Sequence, residues 1–298
     1  MESKIIEEYL AHQEEFQQRL RALGLGEAAN FYWYHAIDLG GGLITPGIYD
    51  YRDTVGAFRF PEDMRGMTVL DVGSATGFFA FEFERRGARV ISVELPSLEE
   101  LDRFPGQTTE QLLAKIERMI LPVLPEGMPV SGAAQPERRP TKDDLYFRLL
   151  EGPFHFCHTR LQSKVERCFS NIYDLSAEKL GLRGSGDGFD LIYLGDILLH
   201  TFYPWKALAA VASLCKSGGL LVLSQVMPEE FGSTPVMHYV GGDDPQGDDI
   251  SWWWPNKPCF MQLLKKMGFH TVEEVGRSRG ILRSTAYAFD RIVLHATK

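Results

Sequence analysis

Residues 68 to 94 read TVLDVGSATGFFAFEFERRGARVISVE, and this stretch decides the fold. An apolar strand (Met67 to Val72) runs into a turn of small residues (Gly73, Ser74, Ala75, Thr76, Gly77). An apolar helix start follows (Phe78, Phe79, Phe81, Phe83), then a second strand (Arg89 to Val93) closing on Glu94. That order is one βαβ unit of a doubly wound sheet. Gly73 lets the chain reverse without a Cβ clash, and Gly77 lets the helix sit close to the strand. The residues between them offer backbone N–H groups at the helix N-terminus, so a ligand can rest on main chain. Glu94 falls at the carboxyl end of the next strand, where a carboxylate can accept two hydrogen bonds from a ribose diol. Turn and carboxylate together predict an adenosine cofactor.

Glycine spacing narrows the cofactor. The dinucleotide fingerprint is G-x-G-x-x-G, and here Ala75 stands at the second glycine and Phe78 at the third, both crowding a pyrophosphate. Asp71 adds a negative charge that suits an amino group and a sulfonium better than a phosphate. The run Asp71, Gly73, Ala75, Gly77 resembles motif I of the class I S-adenosyl-L-methionine (SAM) methyltransferases, D-x-G-x-G-x-G. The resemblance implies SAM held by Asp71, Gly73, Ser74, Ala75, Gly77, Phe78, Glu94 and Leu95. The competing readings are a nicotinamide enzyme and a βαβ unit without cofactor.

The composition fits an elaborated single domain: 298 residues, 44% of them hydrophobic. No run of about 18 apolar residues is present, and the start, MESKIIEEYL, is acidic where a signal peptide is basic and then apolar. The expectation is a cytoplasmic chain without a membrane segment. Cys157, Cys168, Cys215 and Cys259 are scattered, without zinc spacing, and read as reduced thiols. A net charge of −9 argues against a nucleic-acid partner, because phosphates are neutralised by clustered Lys and Arg.

Residues 4 to 23 place Ile5, Ile6, Tyr9, Leu10, Phe16, Leu20 and Leu23 at helical spacing. This helix either packs on the domain or serves as a lid or homodimer element. The aromatic and glycine-rich AANFYWYHAIDLGGGLITPGIYDYRDT follows, read as a strap across the cofactor and substrate mouth or as a plug on a sheet edge. Residues 1–60 thus form a helix and strap on a methyltransferase-like domain of 61–298. A cap is inserted at about 97–160, with a helix over Thr108 to Leu124, a loop containing VSGAAQPERRP, and a helix starting at Thr141 with Asp144. The cap has too few apolar residues for a core of its own. Beyond it, KVERCFSNIYDL gives a third strand, FDLIYLGD a fourth, PWKALAAVASLCKSGG a helix closed by Gly218, and LLVLSQVM a fifth. KPCFMQLLKKMG is a helix ended by Gly268. HTVEEVG and AYAFDRIVLHATK are two last strands joined by a loop RSRGILRST. The fold predicted is α/β: a Rossmann-like, mostly parallel sheet with an antiparallel last strand.

Asn171, Ile172 and Tyr173 follow the third strand, where the adenine ring would lie, and Gly195 ends the fourth, beside the methionine part. Methyl transfer is an in-line displacement that needs alignment above all, although an alcohol or phenol acceptor would want a base. His200, His35 and Asp38 are the candidates, a histidine being suited by its near-neutral titration; the alternative for His200 is a local backbone contact. Asp243, Asp244, Asp248 and Asp249 sit in a broken loop and read as solvated, so no metal is expected. Trp252, Trp253 and Trp254 could wall an acceptor or pack their loop.

Taken together, WYHAIDLGGGLITPG, LDVGSATGFFAFEFERRGA, VERCFSNIYDLS, FDLIYLGDILLH and SWWWPNKPCFMQLLKKMGF resemble the bacterial methyltransferases related to the tRNA wobble-uridine (5-carboxymethoxyuridine-forming) enzyme. The likeness spans nearly the whole chain apart from Leu95 to Arg160. That enzyme uses carboxy-SAM and meets the extra carboxylate with basic and tyrosine side chains. Here Leu199 stands where the tyrosine is expected before His200, and the upstream loop has Arg52 but no lysine. The departures, with the acidic net charge, favour ordinary SAM and a small-molecule acceptor in a bacterial biosynthetic pathway. The alternatives are tRNA modification and a SAM-binding module without catalysis.

Overall fold

The computed structural model describes residues 2–120, 141–182, 188–242 and 250–298, the side chains of 118–120 excepted. Helix α1 (Glu2–Ala22) leads into the strap. Then come β1 (Thr68–Val72), α2 (Phe78–Arg85) and β2 (Arg89–Glu94), followed by α3 (Thr109–Ile120), α4 (Lys142–Tyr146), α5 (Gly152–Leu161) and β3 (Glu166–Phe169). Next are β4 (Phe189–Gly195), α6 (Pro204–Ser213) and β5 (Cys215–Gln225). A short ribbon of β6 (Met237–Tyr239) and β7 (Trp253–Pro255), α7 (Lys257–Lys266), and the hairpin β8 (Thr271–Leu282) and β9 (Tyr287–Thr297) complete the chain.

Seven strands form one sheet in the order β3-β2-β1-β4-β5-β9-β8. The first five are parallel, while β9 runs antiparallel to both of its neighbours. Strand alternation sorts the core into two layers. Val69, Val90, Leu191, Tyr193, Val222 and Val293 face α2, α5, α1 and the strap. Leu70, Ile91, Ile192, Leu221 and Leu294 face α6 and α7. The strap closes on itself through backbone bonds, Ile48 N–H to the Trp33 carbonyl and Tyr49 N–H to that of Tyr34, both at 3.0 Å. Gly47 is obligatory there, because a Cβ would lie 1.9 Å from the His35 carbonyl carbon.

Several expectations are corrected. Helix α6 stops at Ser213, and Gly218, at φ 75°, sits in the irregular start of β5, its N–H bonded to the Lys298 carbonyl. The segment RSRGIL is strand: Arg277 to Leu282 pair with Ile292 to Tyr287, and Arg279 reaches Asp290 across the ladder at 2.9 Å. Its charges mark the solvent side of a strand, which a loop reading mistakes for a break. The inserted cap does have a small core, built from Leu98, Leu112, Ile116, Leu145 and Leu149. Its last helix, α5, packs into the main core instead, through Phe154 and Cys157. On the N-terminal helix Tyr9, Phe16 and Leu20 are buried, whereas Leu10 and Leu23 are exposed. The segment VSGAAQPERRP and Asp243, Asp244, Asp248 and Asp249 lie outside the described residues. Among those described, no group of three metal-ligating side chains occurs, and no helix is long and apolar enough to cross a membrane.

Candidate functional site

The turn after β1 is held by backbone strain and backbone bonds. Gly73, Ala75 and Gly77 all have positive φ (72°, 47° and 92°), so the only non-glycine among them adopts a conformation that L residues rarely take. Gly73 N–H donates to the Val93 carbonyl at 2.9 Å, stitching the turn to β2. From β2, Glu94 reaches back: one carboxylate oxygen accepts the Ala75 N–H and the other the Leu95 N–H, each at 3.0 Å. Burial raises the Glu94 pKa, and Arg167 and these two N–H groups oppose that rise. Each oxygen keeps a lone pair free for a further donor.

A cavity opens at the carboxyl ends of β1 to β4, its walls including Gly73, Glu94, Leu95, Asn171, Tyr173 and His200. Ile172 lines it as well, so the two strand-end segments chosen from topology meet one another. The space beside Gly73 is tight, since a Cβ there would lie 2.6 Å from Ile197 Cδ1. The cavity is small, about 50 Å³, and bounded by the segments that follow β2, β3 and β4. They are fastened by Asp102, which accepts the Tyr173 hydroxyl and, at 2.6 Å, the Phe202 N–H. Asn171 is engaged locally, its amide oxygen on Tyr173 N–H at 3.1 Å and its NH₂ on Glu100 at 3.2 Å.

Other expected binding residues lie elsewhere. Asp71 does not line the cavity. It is buried behind the turn, bonded to the Ala80 N–H, and burial pushes its carboxyl up to about 7. Ser74 turns inward to Ser92 at 2.6 Å, and Arg167 donates to both. Gly77 is needed for packing, because a Cβ would meet the Phe81 and Phe154 rings at 2.7 and 2.8 Å. Ala75 acts through its N–H on Glu94, and Phe78 packs near the rings of His35 and Tyr51. At Gly195 a Cβ would lie 2.3 Å from the Tyr193 hydroxyl, so its role is to make room for that ring.

The three base candidates separate sharply. His200 lines the cavity, and its Nδ1 bonds the Ile250 carbonyl. A carbonyl only accepts, so Nδ1 carries the proton and Nε2 keeps a basic lone pair. His35 has the opposite tautomer. Its N–H donates to Thr76 Oγ1 at 3.1 Å, and the Thr76 hydroxyl proton has His35 Nδ1, also at 3.1 Å, as its acceptor among the described residues. Burial, helped by the charge of Arg291, lowers the His35 pKa to about 3, so it is a neutral anchor rather than a base. Asp38 is exposed and accepts the Gly40 N–H at 2.9 Å, a surface turn away from the cavity. Trp252 is a packing residue, its ring wedged against Phe104 and Phe202 and its backbone N–H on the Leu199 carbonyl at 2.7 Å.

One pair escaped sequence reasoning. Asp196, just beyond β4 and at φ 48°, forms a buried ion pair with Arg291 of β9. The Arg291 guanidinium lies 4.0 Å from the Phe289 ring and 5.1 Å from that of Tyr49, and donates to the Tyr49 hydroxyl at 3.3 Å. Arg291 Nη1 and Asp196 Oδ1 have no hydrogen-bond partner among the described residues. A signal was available: period-2 alternation puts Arg291 on the same face as Phe289 and Val293.

The family described as methyltransferase domain matches residues 47–274. Magnesium-protoporphyrin O-methyltransferase of Rhodobacter capsulatus is 35% identical over 79 residues, 24% of this chain and 35% of that protein. The match thus spans about a third of the relative's length. Among solved structures, the N-terminal domain of EvdMO1 in the presence of SAH and D-fucose superposes with a TM-score of 0.51 at 16% identity, covering 96% of both chains. Magnesium protoporphyrin IX methyltransferase from Synechocystis PCC 6803 with bound SAM gives a TM-score of 0.45 at 11% identity, covering 83% of this chain and 76% of the other.

Proposed function

The chain belongs to the methyltransferase-domain family, as a class I enzyme dependent on S-adenosylmethionine, and we propose that it methylates a small molecule in a biosynthetic pathway. The observation that carries this reading is the meeting of Gly73 and Glu94 at one cavity, with Asn171 to Tyr173 and His200 on its walls. The residues fit the cofactor. Glu94 offers a free lone pair on each oxygen to a ribose diol, Asn171 to Tyr173 border the adenine, and Gly73 leaves room that any side chain would fill. When bound, the cofactor supplies a methyl group on sulfonium, open to in-line attack. His200, with Nε2 unprotonated, is the residue that takes a proton from a hydroxyl acceptor.

Support for a compact acceptor comes from the strap. Tyr34, Tyr49 and Tyr51 surround the Asp196–Arg291 pair, an enclosed aromatic and charged setting rather than an open basic face. The curated relative, named for magnesium-protoporphyrin, is in keeping with this. Calorimetry with S-adenosylhomocysteine tests the cofactor site. Glu94→Ala and Gly73→Arg abolish binding if the assignment holds, and unchanged affinity in both would refute it. The acceptor class is tested by RNA titration: absence of salt-sensitive binding supports the small molecule, while steep salt dependence would replace it with tRNA.

A second reading has one observation in its favour. Arg291 of β9 and Tyr49 of the strap, in contact with one another, are a basic and a tyrosine group of the kind a carboxylated cofactor would call for. Mass spectrometry of the nucleotide retained by the purified protein distinguishes SAM from its carboxylated form.

A further inference from the structure

A second cavity, of about 260 Å³, lies between α1, the strap and the turn joining β8 to β9. Its walls include His12, Glu15, Arg19, Gly42, Arg52 and Arg283, and it shares no lining residue with the cofactor cavity. In a chain of net charge −9, three guanidinium groups from separate segments meet here. Arg52 is matched, since it grips Asp50 in a bidentate pair at 2.9 and 2.7 Å. The other two are not. Arg19 donates to the Gly42 carbonyl, and Arg283 donates to the Gly47 carbonyl and to His12 Nδ1, each at 3.1 Å. Neither makes an ion pair among the described residues.

His12 does not add to the charge. Its Nε2–H donates to the Ile44 carbonyl at 3.1 Å while Nδ1 accepts from Arg283, which fixes the neutral tautomer. Burial and the charge of Arg283 both lower its pKa. Burial also pulls the Arg283 pKa down, as it does for a cation without a full counter-charge. Glu15 is the carboxylate on the wall; Asp50 and Glu8 also act on Arg283 from nearby, but Arg52 holds Asp50 and Lys4 holds Glu8, so neither Arg19 nor Arg283 has a carboxylate of its own among the described residues. A planar guanidinium with N–H groups to spare is matched to an oxyanion.

We infer that this cavity is an anion site, in which Arg19 and Arg283 hold the phosphate or carboxylate of a small metabolite. The occupant sits against the strap. Arg283 is tied to the strap twice, by its side chain to the Gly47 carbonyl and by its backbone N–H to the Ile48 carbonyl at 2.9 Å. A bound anion therefore braces from outside the segment that presents Tyr49 and His35 to the core.

The test uses the full chain and two probes, inorganic phosphate and malonate, each compared with sodium chloride at equal ionic strength, by thermal melting and calorimetry. A saturable rise in melting temperature is expected, with affinity falling about tenfold or more in Arg19→Gln and Arg283→Gln, as loss of a charge-assisted bond predicts. A response to phosphate alone assigns a phosphate ester, and one to malonate alone a carboxylate. No saturable response to either, a response matched by chloride, or unchanged affinity in Arg19→Gln overturns the site. Arg19 is exposed, so its variant keeps the test valid even if Arg283→Gln does not fold.

Discussion

Thr76 and His35 join the strap to the cofactor turn by two bonds of 3.1 Å, one into the hydroxyl oxygen and one out of it. Both residues are buried, so neither bond competes with water. The contact fixes the tautomer of His35 and registers the strap over the start of α2.

Removing the hydroxyl breaks this register. Thr76→Val leaves the His35 N–H and Nδ1 without partners, at a cost of about 1–3 kcal/mol. Denaturant unfolding measures the loss, and Thr76→Ser, which keeps the oxygen, restores most of it. A Thr76→Val protein as stable as its parent would mean that other contacts hold the strap.

His200 gives a pH signature. Burial lowers its pKa from the ordinary 6.5. As the proposed base it is competent only when Nε2 is unprotonated, so turnover is expected to fall on acidification through a value below 6.5. His200→Gln reduces turnover by about 10²-fold or more and abolishes that limb. His35, with its pKa near 3, contributes no limb in the accessible range. An unchanged acid limb in His200→Gln would show that the base is another group.

Asp71 makes stability depend on pH. Its carboxyl is raised from 3.8 to about 7, chiefly by burial, so the native state keeps a proton that the unfolded chain has released. Its contribution is full below about pH 4 and is lost as pH rises to about 7. Glu94, also raised by burial, acts in the same sense. Asp71→Asn keeps an acceptor for the Ala80 N–H without the ionisation. Melting temperatures across that window therefore decline less steeply in the variant, and an identical slope would exclude Asp71 as the source.

The Asp196–Arg291 pair predicts strong coupling. Arg291→Met leaves a buried carboxylate unmatched, which costs roughly 3–5 kcal/mol. Adding Asp196→Asn, a residue that tolerates the positive φ, recovers most of the loss. Additive losses in the double-mutant cycle would show that the two side chains do not act as a pair.

Much of the fold was legible because its signals are local. The β1–turn–α2–β2 unit announces itself through a strand, a turn of small residues between Gly73 and Gly77, and a phenylalanine-rich helix start. Glu94 and Asn171 were placed at the cavity by strand-end topology alone. The hairpin of β8 and β9 was misread because RSRG resembles a loop until Asp290 is found opposite Arg279. Asp71, buried and off the cavity lining, shows a related limit: proximity to the turn in sequence does not say on which side of β1 a side chain emerges.

The sequence by itself determined the sheet, the position of the turn and the class of cofactor, since strand period, glycine placement and a carboxylate one strand later are properties of neighbouring residues. Tertiary structure alone decided the protonation of the histidines and the location of charge. Ile250 sets the tautomer of His200, Thr76 that of His35, and Asp196 meets Arg291 across the sheet. A tautomer or a buried ion pair depends on the partner and the dielectric around it, and those partners lie 41 to 95 residues away along the chain, a distance only folding removes.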